Sequence, residues 1–189
     1  MKGSIMSDAA TKTTNHISTK RLVICALFAA LLGISAYISI PLPLPGAPHI
    51  TMLNFVVLVI ALLFPVSESF AIVMVWLLLG ILGIPVFIGG KGGFGYLVQP
   101  WGGYTWAFPI TALLLPLIRG KRYNRLRYTI SAMIGVIVID LVGMIYLMAT
   151  SGYDIKTGFV IGFLPFLPLD IVKAVVAAQI IPAFKKVME

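Results

Sequence analysis

The hydrophobic residues fall into six long apolar stretches, separated by shorter segments rich in proline, glycine or charge. About 20 apolar residues in a helix are enough to cross a bilayer. The pattern therefore predicts an all-α integral membrane protein, a bundle of six transmembrane helices. The predicted spans are residues 22–40, 50–64, 70–87, 104–118, 128–150 and 170–184.

The polar segments divide the chain into a tail, spans and loops. Residues 1–20 are predicted to form a cytoplasmic polar tail, and residues 21–189 a single membrane domain without internal repeats. The loops differ in character. They are a proline-rich extended connection at 41–49, a tight turn at 65–69, a glycine-rich loop at 89–103, a basic loop at 119–127 and a partly polar segment at 151–169.

Composition strengthens the membrane interpretation. The chain is 60% hydrophobic and 11% charged, with a mean hydropathy of +1.05, whereas soluble domains are roughly 25% charged. A net charge of +8 would suit a nucleic-acid binder only with far more polar surface to carry it. The single cysteine, Cys25, excludes an internal disulfide framework and a cysteine-based metal site.

The positive charge instead predicts orientation, because cytoplasmic loops of membrane proteins are enriched in Lys and Arg. Six spans with both termini in the cytoplasm place eleven of the 14 basic residues inside and leave three outside, namely Lys91, Lys156 and Lys173. A different number of spans would scatter the basic loops over both faces. The three outer lysines are thereby conspicuous.

Asp170 and Lys173, at the outer start of the last span, form the strongest candidate site. A spacing of three puts both side chains on one helix face, and a helix N-terminus favours a carboxylate. One interpretation is a structural ion pair at the helix start. The other is that Lys173 binds a ligand carboxylate through a charge-assisted hydrogen bond while Asp170 orients the lysine.

Lys91 is a second candidate cation, beside Gly90 in a loop where missing side chains allow close approach of a ligand. It can equally be a solvated loop lysine. Residues 90–95 match the G-x-G-x-x-G pattern, but they lie between apolar spans rather than in a βαβ unit, so a nucleotide site is rejected. Lys91 does not belong to a Walker A motif, because Gly92 follows it where that motif has Ser or Thr. Any ATP hydrolysis would therefore have to be carried out by a partner.

Neutral and aromatic residues complete the candidate pocket. Trp101 and Tyr104 lie among outer aromatic residues that would otherwise form an interfacial belt. Asn54 and Thr51 are candidates for neutral hydrogen bonds to a ligand. Asp140 lies well inside the fifth span, where an unpaired carboxylate is costly, and its role stays open.

Four motifs together resemble the BioY family, the biotin-binding S-components of energy-coupling factor (ECF) transporters. They are Ala-Leu-Phe-Ala-Ala-Leu-Leu-Gly at 26–33, Ile-Ser-Ile-Pro-Leu-Pro at 38–43, Gly-Ile-Pro-Val-Phe-Ile-Gly-Gly at 83–90 and Leu-Pro-Phe-Leu-Pro-Leu-Asp-Ile-Val-Lys at 164–173. The resemblance implies a six-helix bundle in the bacterial cell membrane that works with a transmembrane coupling subunit and two ATPases. It also implies that Asp170 and Lys173 lie in the ligand site.

Three departures from that family bear on the ligand. Residues 99–105 read Gln-Pro-Trp-Gly-Gly-Tyr-Thr where the family has Gly-Pro-Thr-Gly-Gly-Tyr-Leu, Pro168-Leu169-Asp170 replaces Pro-Gly-Asp, and residues 51–54 lack the glutamine of Thr-Leu-Gln-Thr. The resemblance implies biotin as the ligand, and these departures make a lipoate-like acid the alternative. No intrinsic cofactor is expected.

Small residues on the first span indicate a helix contact. Ala26 and Ala30 are spaced four apart, which lets another helix approach closely. Packing within the bundle is one interpretation, and the resemblance implies the other, contact with the coupling subunit. An intramembrane enzyme is disfavoured because His16 and His49, the only histidines, fall in the tail and a loop, and no HExxH or paired carboxylate motif is present.

Overall fold

The computed structural model describes residues 18–43 and 49–188. Within these ranges the chain forms helices and one small hairpin. The elements are α1 (Thr19–Ser35), β1 (Ser39–Pro41), β2 (His49–Thr51), α2 (Leu53–Leu63), α3 (Val66–Ile81), a 3-10 turn (Ile88–Gly90), α4 (Phe94–Leu97), α5 (Gly102–Ile118), α6 (Arg125–Ser151), α7 (Ile155–Gly162) and α8 (Leu167–Met188).

Each of the six predicted apolar segments overlaps one of the long helices α1, α2, α3, α5, α6 and α8. Two of these, α6 and α8, are long and apolar enough to cross a membrane by themselves, and α2, α3 and α5 are shorter apolar helices. Residues 1–17 of the predicted tail and 44–48 of the predicted loop lie outside the described residues.

Several predicted boundaries are wrong. The first segment stops being helical at Ser35, because Ser39–Pro41 pairs antiparallel with His49–Thr51, which also takes the first residues of the second segment. Residues 65–69 are not a turn, since Pro65 directly precedes the first residue of α3. Helix α7 occupies part of 151–169, and its N-terminus is capped by Asp154, which accepts from the Thr157 amide.

Helix α2 is the centre of the bundle. Of its residues only Phe55 escapes full burial, as expected for a helix that is apolar on every side. Helices α5 and α6 pack closely because both carry glycine at the contact: a Cβ at Gly103 would overlap Tyr146, and one at Gly143 would overlap the Tyr104 ring. The second contact brings Tyr104 against α6.

One residue of the predicted basic loop at 119–127, Arg119, is buried. Arg119 is 7% exposed, and its guanidinium donates to the carbonyls of Ala61 at 3.2 Å and Phe64 at 2.7 Å and to the Tyr128 hydroxyl at 2.7 Å. The Lys185 ammonium donates to the same hydroxyl at 3.2 Å. We call these groups the Arg119 cluster. They satisfy the C-terminal carbonyls of α2, which lack intrahelical partners.

Candidate ligand-binding site

A cavity lies where the β1–β2 hairpin, the start of α8 and the middle of α6 meet. Its volume is about 50 Å³, room for a few water molecules. The walls are mostly apolar, with polar side chains from four elements. The lining residues are His49, Ile50, Thr51, Asn54, Ile88, Trp101, Tyr104, Phe108, Ile139, Asp140, Phe166 and Asp170.

Lys173 connects β2, α2 and α8 through hydrogen bonds beside the cavity. Its ammonium donates to the Thr51 carbonyl at 2.8 Å, to Asn54 Oδ1 at 3.3 Å and to Asp170 Oδ1 at 2.8 Å. An ammonium has three N–H donors, so all three have protein acceptors. The predicted pairing of Asp170 with Lys173 across one helix turn is present, and Lys173 itself is not a lining residue.

The hairpin and the start of α2 position the neutral groups. Thr51 ends β2, and its hydroxyl accepts from the Leu53 amide at 2.7 Å, which turns the chain from strand into helix. Asn54 follows on the first turn of α2, 7% exposed. Its amide nitrogen donates to no acceptor within residues 18–43 and 49–188, and it belongs to a side chain that lines the cavity.

Three aromatic rings form one wall. Tyr104 stacks on Trp101 with ring centroids 6.0 Å apart and lies 5.4 Å from the ring of Phe166. The Tyr104 hydroxyl donates to the Gly162 carbonyl at the end of α7. Its donor is thereby used within the protein, so Tyr104 offers the cavity mainly an apolar face.

Asp140 is the least satisfied polar group at the cavity. It lies on α6 and is 1% exposed. Its Oδ2 is buried and has no hydrogen-bond partner in the described part of the chain. Together with Asp170, Lys173 and Asn54 it forms what we call the pocket cluster.

Lys91 and Gly90 are not among the lining residues, although Ile88 of the same loop is. Lys91 is exposed and close enough to His49 to act on it electrostatically. Partial burial, and then the charge of Lys91, lower the pKa of His49. Gly90 has a positive φ of 72°, and a Cβ there would lie 3.0 Å from the Tyr37 ring, so its glycine serves the backbone turn.

Ala26 and Ala30 lie on the exposed side of α1, opposite the buried Phe28 and Leu32. They line a surface groove of about 420 Å³ between α1 and α3. The groove is almost entirely apolar, with Leu79 and Val86 among its other lining residues. Ala26 and Ala30 are therefore exposed in the described part of the chain.

Comparison with known proteins identifies the family. The BioY family profile matches residues 8–189. The chain belongs to the BioY family. Members of this family are transport proteins, so the intramembrane enzyme is set aside.

The relatives support this assignment over most of the chain. The probable biotin transporter BioY of Pyrococcus horikoshii is 37% identical over 87% of this chain and 95% of its own length. The biotin transporter BioY of Thermotoga maritima is 34% identical over 88% and 96%. A crystal structure of the S-component for biotin from an ECF-type ABC transporter has a TM-score of 0.80 and 26% identity, covering 90% of this chain and 95% of that one.

The structure thus brings together five of the predicted pocket residues at one cavity: Thr51, Asn54, Trp101, Tyr104 and Asp170. It adds lining residues that sequence reasoning did not select, including His49, Phe108 and Ile139. A signal for Phe108 existed, because it follows Tyr104 by four residues and so shares its helix face. No comparable sequence signal existed for His49, because its position at the cavity depends on the pairing of β2 with β1.

Proposed function

We propose that this BioY family protein is the substrate-binding S-component of an ECF importer and that its ligand is biotin. The carrying observation is the cavity with apolar walls and a polar cluster on one side. That combination suits a small amphipathic acid. The similarity to proteins described as biotin transporters, and to a solved S-component for biotin, supports biotin as the acid.

In this proposal Lys173 binds the ligand carboxylate. Asn54 is the partner it can release at least cost, because that 3.3 Å hydrogen bond is longer than the other two. Asp170 keeps the ammonium in position. Lys91 remains the alternative cation, at the rim beside His49, with Gly90 shaping its loop.

Binding should also widen the cavity. Pockets for small molecules commonly measure roughly 300–1,000 Å³, well above the 50 Å³ present here. The hairpin that carries His49 and Thr51 is a candidate moving part, since it is short and only partly buried. We therefore expect the ligand-bound form to differ from this one around β1 and β2.

Ligand identity is tested by titrating purified protein in detergent with biotin and, separately, with lipoate. We expect one biotin per chain, bound much more tightly than lipoate, and biotin in the mass spectrum of protein purified from biotin-containing medium. Preferential binding of lipoate would replace biotin by the alternative acid. A protein that binds neither would contradict the S-component assignment.

The proposed arrangement is multi-pass in the bacterial cell membrane, with six spans, both termini in the cytoplasm and the cavity facing outward. Contacts set apart two ends of the bundle: the ends of α2, α5 and α8 meet the start of α6 around Arg119, and the starts of α2 and α8 meet around Lys173. The Arg119 end holds most basic residues, while Lys91, Lys156 and Lys173 belong to the cavity end. This asymmetry is what the positive-inside rule predicts.

Orientation can be tested by cysteine labelling in a Cys25→Ser background. A cysteine at Lys156 should react with an impermeant reagent in intact cells, and one at Arg122 only after permeabilisation. Both positions are exposed at opposite ends of the bundle. The reverse labelling pattern would place the cavity on the cytoplasmic side.

Partner subunits are the last part of the proposal. Transport would need a transmembrane coupling subunit and two ATPases, and the groove at Ala26 and Ala30 is the proposed contact with the coupling subunit. Leucine at either position should abolish uptake while purified protein keeps its biotin affinity. Ala149→Leu, at an exposed alanine on α6, is the control and should transport normally. Equal loss of affinity and uptake would indicate internal packing instead.

A further inference from the structure

Asp140 is buried at the cavity with a carboxyl oxygen that nothing in the described chain satisfies. Two other buried polar side chains of α5 and α6 differ in this respect. Thr111 on α5 donates to the Ala107 carbonyl at 3.0 Å, and Ser131 on α6 donates to the Arg127 carbonyl at 2.8 Å. A buried carboxyl without a partner is costly, so its retention calls for a compensating contact.

Two of the neighbouring donor groups are already used. The Tyr104 hydroxyl donates to the Gly162 carbonyl, and the three donors of Lys173 go to Thr51, Asn54 and Asp170. Asp170, the other carboxylate at the cavity, has an ion pair that Asp140 lacks. Neither Tyr104 nor Lys173 therefore has a hydrogen left for Asp140, and a donor in whatever fills the cavity would satisfy it.

We propose that Asp140 accepts a hydrogen bond from an N–H group in the polar head of the ligand, and that it thereby selects a cyclic urea. The inference rests on the proposed function, because it assigns a role within that ligand site. The urea ring of biotin carries two N–H donors beside one carbonyl.

The same geometry discriminates between the two candidate acids. The dithiolane ring of lipoate has no N–H group, so lipoate would leave Asp140 without a partner and bury it further. A site built to accept a hydrogen bond rejects an analogue without the donor more strongly than an apolar pocket rejects a change in shape. Asp140 is then a specificity-determining residue, separate from the cation that binds the carboxylate.

The test combines two substitutions with two ligands. Purified wild type, Asp140→Ala and Asp140→Asn are titrated with biotin and with biotin methylated on its urea nitrogens. Leaving a buried acceptor without its donor corresponds to about a 10- to 100-fold change in affinity. We expect wild type to prefer biotin by about that factor, Asp140→Ala to lose the preference, and Asp140→Asn, which keeps an acceptor oxygen, to fall between them.

Asp154→Asn is the control, since Asp154 is an exposed acid at α7 away from the cavity, and it should match wild type. Loss of affinity for both ligands alike in Asp140→Ala, or no loss at all, would overturn the inference while the proposed function stands. If the alanine variant does not fold, the asparagine variant decides by the same comparison. A wild-type protein that binds neither biotin nor lipoate overturns the proposed function, and the inference with it.

Discussion

The bundle buries two polar clusters, one at the end where α5 meets α6 and one at the cavity, and they differ in how fully they are satisfied. In the Arg119 cluster a single guanidinium meets two carbonyls that end α2 and the Tyr128 hydroxyl. In the pocket cluster Lys173 is equally well supplied. Asp140 beside it has an oxygen with no partner in the described chain.

This difference indicates that one cluster contributes mainly to stability and the other mainly to ligand binding. A closed set of hydrogen bonds contributes to the folded state and offers nothing to a ligand. An open set costs stability in the empty protein, and a ligand with the complementary group recovers that cost. We therefore expect substitutions in the Arg119 cluster to change unfolding, and substitutions in the pocket cluster to change affinity.

Arg119→Met should have the largest effect of all on stability. It removes the donors for the Ala61 and Phe64 carbonyls, and each unsatisfied buried group costs about 1–3 kcal/mol. We expect a loss of roughly 2–4 kcal/mol in the free energy of unfolding, measured by denaturation in detergent. Arg122→Met, at an exposed arginine of the same end, should change it by less than about 0.5 kcal/mol.

If the two arginine variants had the same free energy of unfolding, the hydrogen bonds of the buried Arg119 would contribute nothing to stability. Biotin affinity of the folded Arg119→Met protein should stay near the wild-type value. A large fall in affinity would mean that the two clusters are coupled through α2.

Lys173→Ala should have the next largest effect, on affinity. A charge-assisted hydrogen bond to the ligand carboxylate is worth roughly 1.5–3 kcal/mol, or about 10- to 100-fold. The substitution also leaves Asp170 without its ion pair, so an uncharged biotin amide is titrated in parallel. The loss should be much smaller for the amide than for the acid.

Lys156→Ala, at an exposed lysine of the same end, is the control for Lys173 and should bind biotin normally. If Lys91→Ala weakens acid binding and Lys173→Ala does not, the cation is the one at the rim. If neither does, the carboxylate stays in solvent and the assignment of a carboxylate cation is wrong.

Asp140→Leu should have a smaller effect on unfolding, of opposite sign to that of Arg119→Met. It replaces an unsatisfied buried carboxyl by an apolar group of similar size, so the ligand-free protein should become more stable by about 1–2 kcal/mol. Unfolding in detergent without biotin measures this. A loss of stability would show that the carboxyl contributes to the fold.

The smallest effect concerns pH and His49. Its pKa is lowered in the folded protein, so below about pH 6.5 the unfolded state takes up the proton first and folding loses stability as pH falls. His49→Gln should therefore lose less stability than wild type between pH 7 and 5.5. Equal pH dependence in the two proteins would show that other groups control it.

The helices could be predicted from the sequence because each of the six apolar segments overlaps one of them. The ends of the helices could not be predicted. Ser39–Pro41 is a strand rather than part of the first helix because it pairs with a second strand. Pro65 suggests a turn, although proline is also common where a helix begins. Asp154, three residues before Thr157, is a sequence signal for the start of α7.

Part of the candidate site could likewise be predicted from the sequence, and part could not. The pairing of Asp170 with Lys173 follows from spacing on one helix and was predicted. The burial of Arg119 was not, because its acceptors belong to α2, far away in the sequence. The sequence shows Asp140 as an acid inside a predicted span. It does not show that Asp140 lacks a hydrogen-bond partner, because that depends on which acceptors Tyr104 and Lys173 donate to.

The most direct test of the account is the biotin dissociation constant of Asp170→Asn, measured beside that of Arg119→Met by titration of purified, folded protein. Asp170 holds the Lys173 ammonium at the cavity, whereas Arg119 holds the far end of α2. The account predicts an affinity about tenfold or more weaker for Asp170→Asn, and one within about threefold of wild type for Arg119→Met. Equal affinities in the two variants, or the larger loss in Arg119→Met, would contradict it.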